Sequence, residues 1–331
     1  MLEPVIILVI VFALAFEFIN GFHDTANAIA TSVYTRALSA RSAILLAAGM
    51  NLVGALVSEK VATTISKGLV NVELEQYVIL SALIGAILWN LFTWWKGIPS
   101  SSSHALIGSL VGAVIVYTGS FRHVIWKAIL LKVIVPLFTS PLLGFAVGFG
   151  SMKLINRVLA KYPYGRVNAV FKKLQVFSSA FVAFSHGSND AQKTMGIITL
   201  SLVTAGVLAP TAGVPFAAKL ACACMMALGT SLGGWKVMKT MGGGVTKLNP
   251  SLGFIAQTSS ALIIELMTFL GAPVSTTQVI TTSIMGVGSV RRLTAVKWGI
   301  AGNIFTAWIV TLPCTMVLGG LTSLFIGLFI A

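Results

Sequence analysis

Long apolar runs, separated by short polar stretches, form the hydrophobic pattern of this sequence. Apolar runs of about 17–25 residues, the length of a membrane-spanning helix, recur along the chain, for example at 77–95, 125–149 and 251–270. The pattern predicts helices over residues 5–19, 25–35, 42–57, 77–95, 105–117, 125–149, 176–185, 194–208, 216–232 and 251–270, a short run ending near 288, and 295–330. We therefore predict an all-α, multi-pass protein of the plasma (inner) membrane.

Two short polar stretches interrupt this apolar pattern, one in each half of the chain. They read NGFHDTAN at 20–27 and HGSNDAQK at 186–193, and each has a glycine three residues before an aspartate, Asp24 or Asp190. A carboxylate in hydrocarbon is costly, and such groups usually face a cavity that serves transport or chemistry. We interpret both stretches as helix breaks, with Asp24 as the N-cap of the next helix. The two aspartates are predicted to mark one ion-and-substrate site built from both halves.

Two hydroxyl-rich tips, each preceded by a proline, open two of the shorter apolar runs. Residues 100–103 (SSSS) follow Pro99, and residues 275–277 (STT) come soon after Pro273. Hydroxyls beside a proline favour a helix start, and the 105–117 run is short enough for a re-entrant, hairpin-like half-helix as well as for a full crossing. Half-helix N-termini offer an anion N–H donors and the positive end of the helix dipole. The predicted substrate ligands are Ser101, Ser102, Ser103, Ser275, Thr276, Thr277 and Gln192.

The two halves of the sequence follow the same plan. The aspartates are 190 − 24 = 166 residues apart, and the prolines of the tips are 273 − 99 = 174 residues apart. Paired repeats with matching interruptions are typical of secondary transporters, whose sites lie between the halves. We predict a first transmembrane repeat over 1–150, a basic cytoplasmic linker over 151–173 and a second repeat over 174–331. The pattern itself leaves open whether the repeats are parallel or inverted.

Composition strengthens the membrane assignment and changes the interpretation of the positive charge. Only 9% of the residues are charged and 56% are hydrophobic, far from the roughly 25% charged residues of a soluble domain. The formal net charge of +14 would suggest nucleic-acid binding in a soluble protein, but here it favours loops held at anionic lipid. The expected partners are membrane lipid, a small anion and a monovalent cation. No nucleic acid and no cofactor are expected, and a homodimer is left open.

The polar stretches also offer oxygen ligands, including backbone carbonyls of the predicted breaks, to a small hard cation. An anion about 4 Å from a carboxylate is repelled by roughly 4 kcal/mol at an effective dielectric constant near 20. Cations must therefore neutralise the aspartates before the anion binds, which couples the two. The predicted Na⁺ ligands, with a proton as the alternative, are Asp24, Asn27, Asn189 and Asp190. Glu59 and Lys193 are predicted to couple or gate, and Lys193 either pairs with an aspartate or touches the substrate.

At these residues the sequence resembles the inorganic phosphate transporter (Pit) family, in particular its bacterial members. The similarity is carried by GFHDTANAIAT at 21–31, HGSNDAQKTMG at 186–196, LNPSLGF at 248–254 and GAPVSTTQ at 271–278. The resemblance implies a cation-coupled phosphate symporter with paired repeats of inverted topology. Within it, the matching acids are Asp24, Asp190 and Glu59.

Two positions depart from the family pattern. Gln257 stands where animal relatives are expected to carry an acid, and Lys193 stands opposite Asn27. We call the part of the site that comes from each half of the chain a half-site. We therefore expect the second half-site, around Asp190, to differ from the first, around Asp24, in the choice or number of its cations.

The expected function is uptake of inorganic phosphate with Na⁺ or H⁺ by alternating access, and three other functions stay open. A symporter for sulfate or another oxyanion keeps the same fold. An intramembrane aspartic protease would use the aspartates as a dyad that shares a proton. Neither aspartate lies in a protease-like context, however, and the tips would have no role, so we expect no enzymatic activity. A passive anion channel would give flux without a cation gradient.

Overall fold

Helices account for nearly all of the described chain. The computed structural model describes residues 4–232, 238 and 243–330, without the side chains of 25–27 and 330. The long helices are α1 (Pro4–Tyr34), α2 (Ala40–Ala55), α3 (Lys60–Gly68), α4 (Gln76–Lys96), α5 (Ser102–Thr118), α6 (Trp126–Val158, with a π-helical turn at Leu130–Ile134), α7 (Tyr164–Thr204), α8 (Phe216–Leu232), α9 (Pro250–Phe269), α10 (Thr276–Ser289) and α11 (Trp298–Ile330). The predicted all-α fold is confirmed.

Five of the described helices are long and apolar enough to cross a membrane, and they are α1, α4, α6, α9 and α11. The pair α2 and α3 adds a sixth candidate, because the two helices pass the same test together and are bent by 62° at the break between them. The helices α5 and α8 are apolar but shorter. This arrangement agrees with the predicted multi-pass membrane protein.

The predicted helix breaks at 20–27 and 186–193 are wrong. The 31-residue α1 and the 41-residue α7 run through these stretches as continuous helices. Asp24 therefore lies within a helix and is not an N-cap. The backbone carbonyls of both stretches remain in helices and do not form the expected unwound cation ligands.

The glycines of these stretches allow close helix crossings. A Cβ atom on Gly21 would lie 2.5 Å from the backbone oxygen of Met226 in α8. One on Gly187 would lie 2.2 Å from the backbone oxygen of Asn51 in α2. Small residues let membrane helices approach backbone to backbone. The Gly-x-x-Asp pattern therefore combines a crossing point with a carboxylate one turn further along the helix.

Replacing Gly187 with Ala is expected to destabilise the fold, because the new methyl group has no room against the α2 backbone. Overpacking of this kind costs about 1–3 kcal/mol or more. The matched control is Gly49→Ala in α2, where nothing lies within 4 Å of the added atom, and where Ala is the better helix former by about 1 kcal/mol. Thermal unfolding of both variants in detergent measures the difference. Equal midpoints would contradict the close crossing.

The helices of the two halves correspond in order and in packing. The starts of α4 and α9 are 250 − 76 = 174 residues apart, those of α5 and α10 are 276 − 102 = 174 apart, and those of α6 and α11 are 298 − 126 = 172 apart. The first helix of each half packs on the second helix of the other, α1 on α8 and α7 on α2. Likewise, α5 packs on α11 and α10 packs on α6. The halves therefore interlock, and inverted topology remains a prediction.

The basic stretch at 151–173 is mostly helical. It contains the end of α6, a turn near 159–163 and the beginning of α7, and all of its lysine and arginine side chains are exposed. Its cytoplasmic location, and the division of the chain into 1–150 and 174–331, remain predictions.

Both hydroxyl-rich tips begin helices inside the protein. Ser101 is the N-cap of α5 and Ser275 is the N-cap of α10, and each hydroxyl accepts a hydrogen bond of 3.3 Å from the backbone N–H three residues later. The two helices have only 17 and 14 residues, and their first turns are buried. Two helix N-termini therefore lie among buried side chains, where an anion or a carboxylate can use them.

Candidate functional site

Two buried aspartates, one from each half of the chain, lie close together. Asp24 of α1 is 2% exposed and Asp190 of α7 is 1% exposed. Their ligand atoms and one from His186 all lie within 4.8 Å of one another. Like charges at this separation are unfavourable unless positive or hydrogen-bonding groups compensate them. The structure thus brings together the two aspartates that the sequence places in one site.

The hydroxyl-rich tips hold the carboxylates by equivalent hydrogen bonds. Ser102 Oγ donates to Asp24 Oδ2 at 2.8 Å, and Thr276 Oγ1 donates to Asp190 Oδ2 at 2.9 Å. These are the first residues of α5 and α10, so the positive ends of both helix dipoles also lie at the carboxylates. Thr277 adds a bond across the halves, from its Oγ1 to Asp24 Oδ1 at 3.2 Å. Two helix starts and two carboxylates therefore form one cluster.

Lys193 is a buried cation within this cluster. Its ammonium group donates to Asp190 Oδ1, to Ser103 Oγ and, at 3.0 Å, to the backbone oxygen of Val274. The sequence left open whether Lys193 pairs with an aspartate, and the structure pairs it with Asp190. One of the two negative charges is therefore compensated inside the protein.

Two histidines that the sequence analysis did not assign to the site contact the aspartates. His23 Nδ1 lies 2.7 Å from Asp24 Oδ1, and it donates because an ionised carboxylate only accepts. His186 Nε2 lies 3.1 Å from Asp190 Oδ2, while its Nδ1 lies 3.0 Å from the side-chain oxygen of Asn51. The signal was present in the sequence, because His23 directly precedes one aspartate and His186 is one helical turn before the other.

Comparisons with known proteins identify the family. The profile of the phosphate transporter family matches residues 20–165 and 159–319. The chain belongs to the phosphate transporter family. A Bacillus subtilis (strain 168) protein described as a probable low-affinity inorganic phosphate transporter is 46% identical, over 95% of this chain and 95% of its own length. A Rhizobium meliloti (strain 1021) protein with the same description is 43% identical, over 96% of this chain and 95% of its own length.

A solved structure has the same fold. It is described as the sodium-dependent phosphate transporter, and it matches with a TM-score of 0.90 and 28% sequence identity over 98% of this chain and 100% of its own. The predicted family resemblance is therefore confirmed, as are a transporter rather than an enzyme and a multi-pass plasma-membrane location.

Not every predicted ligand of this phosphate transporter family member faces the cluster. The side-chain oxygen of Gln192 accepts from two backbone N–H groups in the first turn of α3, at 2.8 and 3.3 Å, and its amide nitrogen donates to Ser188 O. Its role as a substrate ligand remains a prediction that requires these bonds to open. Asn189 Nδ2 donates to Thr268 Oγ1 of α9 at 2.9 Å. The side chain of Asn27 lies outside the described part of the chain.

Glu59, the other predicted coupling residue, lies at the surface between α2 and α3. Its carboxylate pairs with Lys219 of α8 and accepts from the backbone N–H of Val214 at 3.1 Å. The Glu59 side chain is 39% exposed, whereas the aspartates are almost fully buried. The observed contacts tie α3 to α8, and the coupling role remains a prediction.

Two further buried polar groups, Glu17 and Gln257, have partners that the sequence did not indicate. Glu17 is fully buried in α1, seven residues and thus two helical turns before Asp24, and it accepts a hydrogen bond from Thr194 of α7. Gln257 of α9 donates to Ser32 Oγ of α1 at 2.7 Å and belongs to a second buried polar network. An acid and an amide within apolar runs were the available signals, but their partners are distant in sequence.

Proposed function

We propose that this protein is a cation-coupled symporter that takes up inorganic phosphate by alternating access, with Na⁺ as the driving ion and H⁺ as the alternative. The observation that carries the proposal is the meeting of Asp24 and Asp190 with the N-termini of α5 and α10. Carboxylates bind hard cations and helix N-termini bind anions, so one cluster offers both kinds of site. The fold shared with a sodium-dependent phosphate transporter supports the choice of Na⁺.

The tip hydroxyls supply the physical link between cation and phosphate. In the described arrangement Ser102 and Thr276 donate their protons to the carboxylates. A cation that covers those carboxylate oxygens turns the hydroxyl lone pairs toward itself and frees the protons to bind phosphate. Without the cation, each carboxylate within about 4 Å would repel a phosphate charge by roughly 4 kcal/mol at an effective dielectric constant near 20. Linkage then requires phosphate to tighten cation binding equally.

The predicted ligands form two groups, one for the cation and one for phosphate, according to their position in the cluster. Asp24 and Asp190 bind positive charge, with Asn27 and Asn189 beside them on the same helices. The tips bind phosphate, and within them Ser101 and Ser275 act by holding the helix starts in place. The hydroxyls assigned to direct contact are Ser102, Ser103, Thr276 and Thr277.

Alternating access uses the interlocked halves. The tip helices α5 and α10 pack on α11 and α6, whereas α1, α2, α7 and α8 pack on one another. Because the aspartates lie on α1 and α7, a shift between these two sets of helices opens the cluster to one side at a time.

The deciding experiment is uptake of labelled phosphate into proteoliposomes, with Na⁺ and pH gradients imposed separately. We expect uphill accumulation with one of the two gradients and little inhibition by excess sulfate. Strong competition by sulfate would favour the wider oxyanion specificity. Equal flux with and without a cation gradient would identify a passive channel and refute the symporter.

Replacing Ser102 with Ala is expected to raise the KM for phosphate about tenfold or more, because a hydrogen bond to a charged group is worth about 1.5–3 kcal/mol. Ser109→Ala is the matched control on the same helix, since its buried hydroxyl has no hydrogen-bond partner among the described residues. Initial uptake rates at graded phosphate concentrations measure both variants. An unchanged KM in Ser102→Ala would remove this hydroxyl from the phosphate site.

A further inference from the structure

The two half-sites, one around Asp24 and one around Asp190, share two kinds of contact and differ in the residue one turn after the aspartate. At an offset of 166, Gly21, Asp24 and Asn27 correspond to Gly187, Asp190 and Lys193. In each half the glycine marks a close helix crossing, and the aspartate accepts from the first hydroxyl of the tip helix. One turn after the aspartate, however, the first half carries a neutral amide and the second half carries an ammonium group. The two half-sites are therefore similar in arrangement, but only the second carries a lysine at this position.

The surroundings of Lys193 are those of a bound cation. Among the described residues its three partners are a carboxylate oxygen of Asp190, the hydroxyl of Ser103 and the backbone oxygen of Val274. Carboxylate, hydroxyl and carbonyl oxygens are also the ligands that hard metal ions take. An ammonium group has three donors, and these three partners use all of them. The side chain is only 2% exposed, so this charge is held inside the protein.

We propose that the Lys193 ammonium is a built-in cation that occupies the second half-site permanently, so that only one mobile cation, bound at Asp24, accompanies each phosphate. The inference rests on the proposed symport function and revises the expectation of Na⁺ at both aspartates. It assigns Lys193 to setting the number of coupled ions.

Charge and geometry both exclude a second mobile cation at Asp190. One carboxylate oxygen receives Lys193, and the other receives Thr276 and faces His186 at 3.1 Å. A monovalent ion about 4 Å from the ammonium would meet roughly 4 kcal/mol of repulsion at an effective dielectric constant near 20. Asp24 accepts from neutral hydroxyls and His23, so it keeps an uncompensated charge for a mobile ion.

The first test uses the unmodified protein in proteoliposomes with the membrane potential clamped to zero. The slope of log phosphate accumulation against the log gradient of the driving cation counts the mobile cations per phosphate. We expect a slope near one. A slope near two would overturn the inference and leave the symport function intact, whereas the absence of gradient-driven accumulation would overturn the symport function itself.

The second test replaces Lys193 with Asn, the residue at the corresponding position of the first half. The vacated oxygens then take a second mobile cation, so the Hill coefficient for Na⁺ in phosphate uptake rises from about one to about two. The variant is also expected to melt at lower temperature in Na⁺-free detergent and to recover when Na⁺ is added. Lys193→Arg keeps the charge and should keep the lower coefficient. A Lys193→Asn protein with unchanged cation dependence, or one that Na⁺ fails to restore, would count against the built-in cation.

Discussion

Replacing Asp24 with Asn is expected to abolish cation-driven phosphate uptake and to leave the protein folded. The substitution removes the charge that attracts the mobile cation, which is worth about 4 kcal/mol for a pair about 4 Å apart at an effective dielectric constant near 20. That energy corresponds to a loss on the order of several hundredfold in cation binding. The amide keeps one accepting oxygen, and the hydroxyl that faces its amino group can turn to accept from it, so Ser102 and Thr277 both keep a partner and the tips stay in place. Phosphate uptake under separately imposed Na⁺ and pH gradients measures the loss.

The control for this prediction is Glu73→Gln, which removes an exposed carboxylate from the segment between α3 and α4. It changes the net charge by the same amount without touching the cluster, and it should transport at the wild-type rate. Size-exclusion profiles in detergent establish that both variants are folded. Wild-type rates in a folded Asp24→Asn protein would refute the assignment of Asp24 to the cation site.

The apolar helices were predictable because their signal is local. The apolar run at 216–232 coincides with α8, and the run at 77–95 differs from α4 (Gln76–Lys96) by one residue at each end. A spanning helix must satisfy its own backbone and present apolar side chains to lipid, so length and composition almost determine it. The helix starts at the two tips were predictable for a similar reason, because a serine N-cap accepts its hydrogen bond from a backbone N–H only three residues later.

The helix breaks were predicted wrongly because their cause is not local. A polar stretch in an apolar run suggests an interruption when only its own segment is considered. In the structure, Asp24 remains within a helix, and its carboxylate accepts hydrogen bonds from distant residues, including Thr277, 253 residues away. The glycine before it accommodates the backbone of α8, which the sequence of α1 alone does not reveal. The continuity of α1 through this polar stretch is therefore explained by contacts with residues that are distant in sequence.

The same distinction explains which of the predicted site residues the structure brings together. Both aspartates and the tip hydroxyls stand out in sequence because they are polar groups among apolar ones. Gln192 looks equally suitable, yet its carbonyl oxygen caps α3 by bonds to residues about 130 positions earlier. The sequence alone does not assign His23 and His186 to the site, because a histidine is more often structural than functional, and only the fold shows that both rings meet the carboxylates.

Replacing Asp190 with Asn is expected to destabilise the protein far more than the equivalent change at Asp24. It leaves the Lys193 ammonium buried without its carboxylate, and removing one partner of a buried ion pair costs about 3–5 kcal/mol. No lysine in the described part of the chain pairs with Asp24, so Asp24→Asn serves as the matched control.

Thermal unfolding in detergent should therefore show a large drop in midpoint for Asp190→Asn and a small one for Asp24→Asn. The double variant Asp190→Asn with Lys193→Asn removes both charges, and because neither is left unpaired we expect it to recover most of the lost stability. Equal midpoints for the two single variants would show that Lys193 does not depend on Asp190. A double variant no more stable than Asp190→Asn alone would place the damage in the Thr276 contact instead. The difference between the two half-sites, a lysine beside Asp190 but not beside Asp24 among the described residues, is thus measurable as a difference in unfolding midpoint, independently of any transport assay.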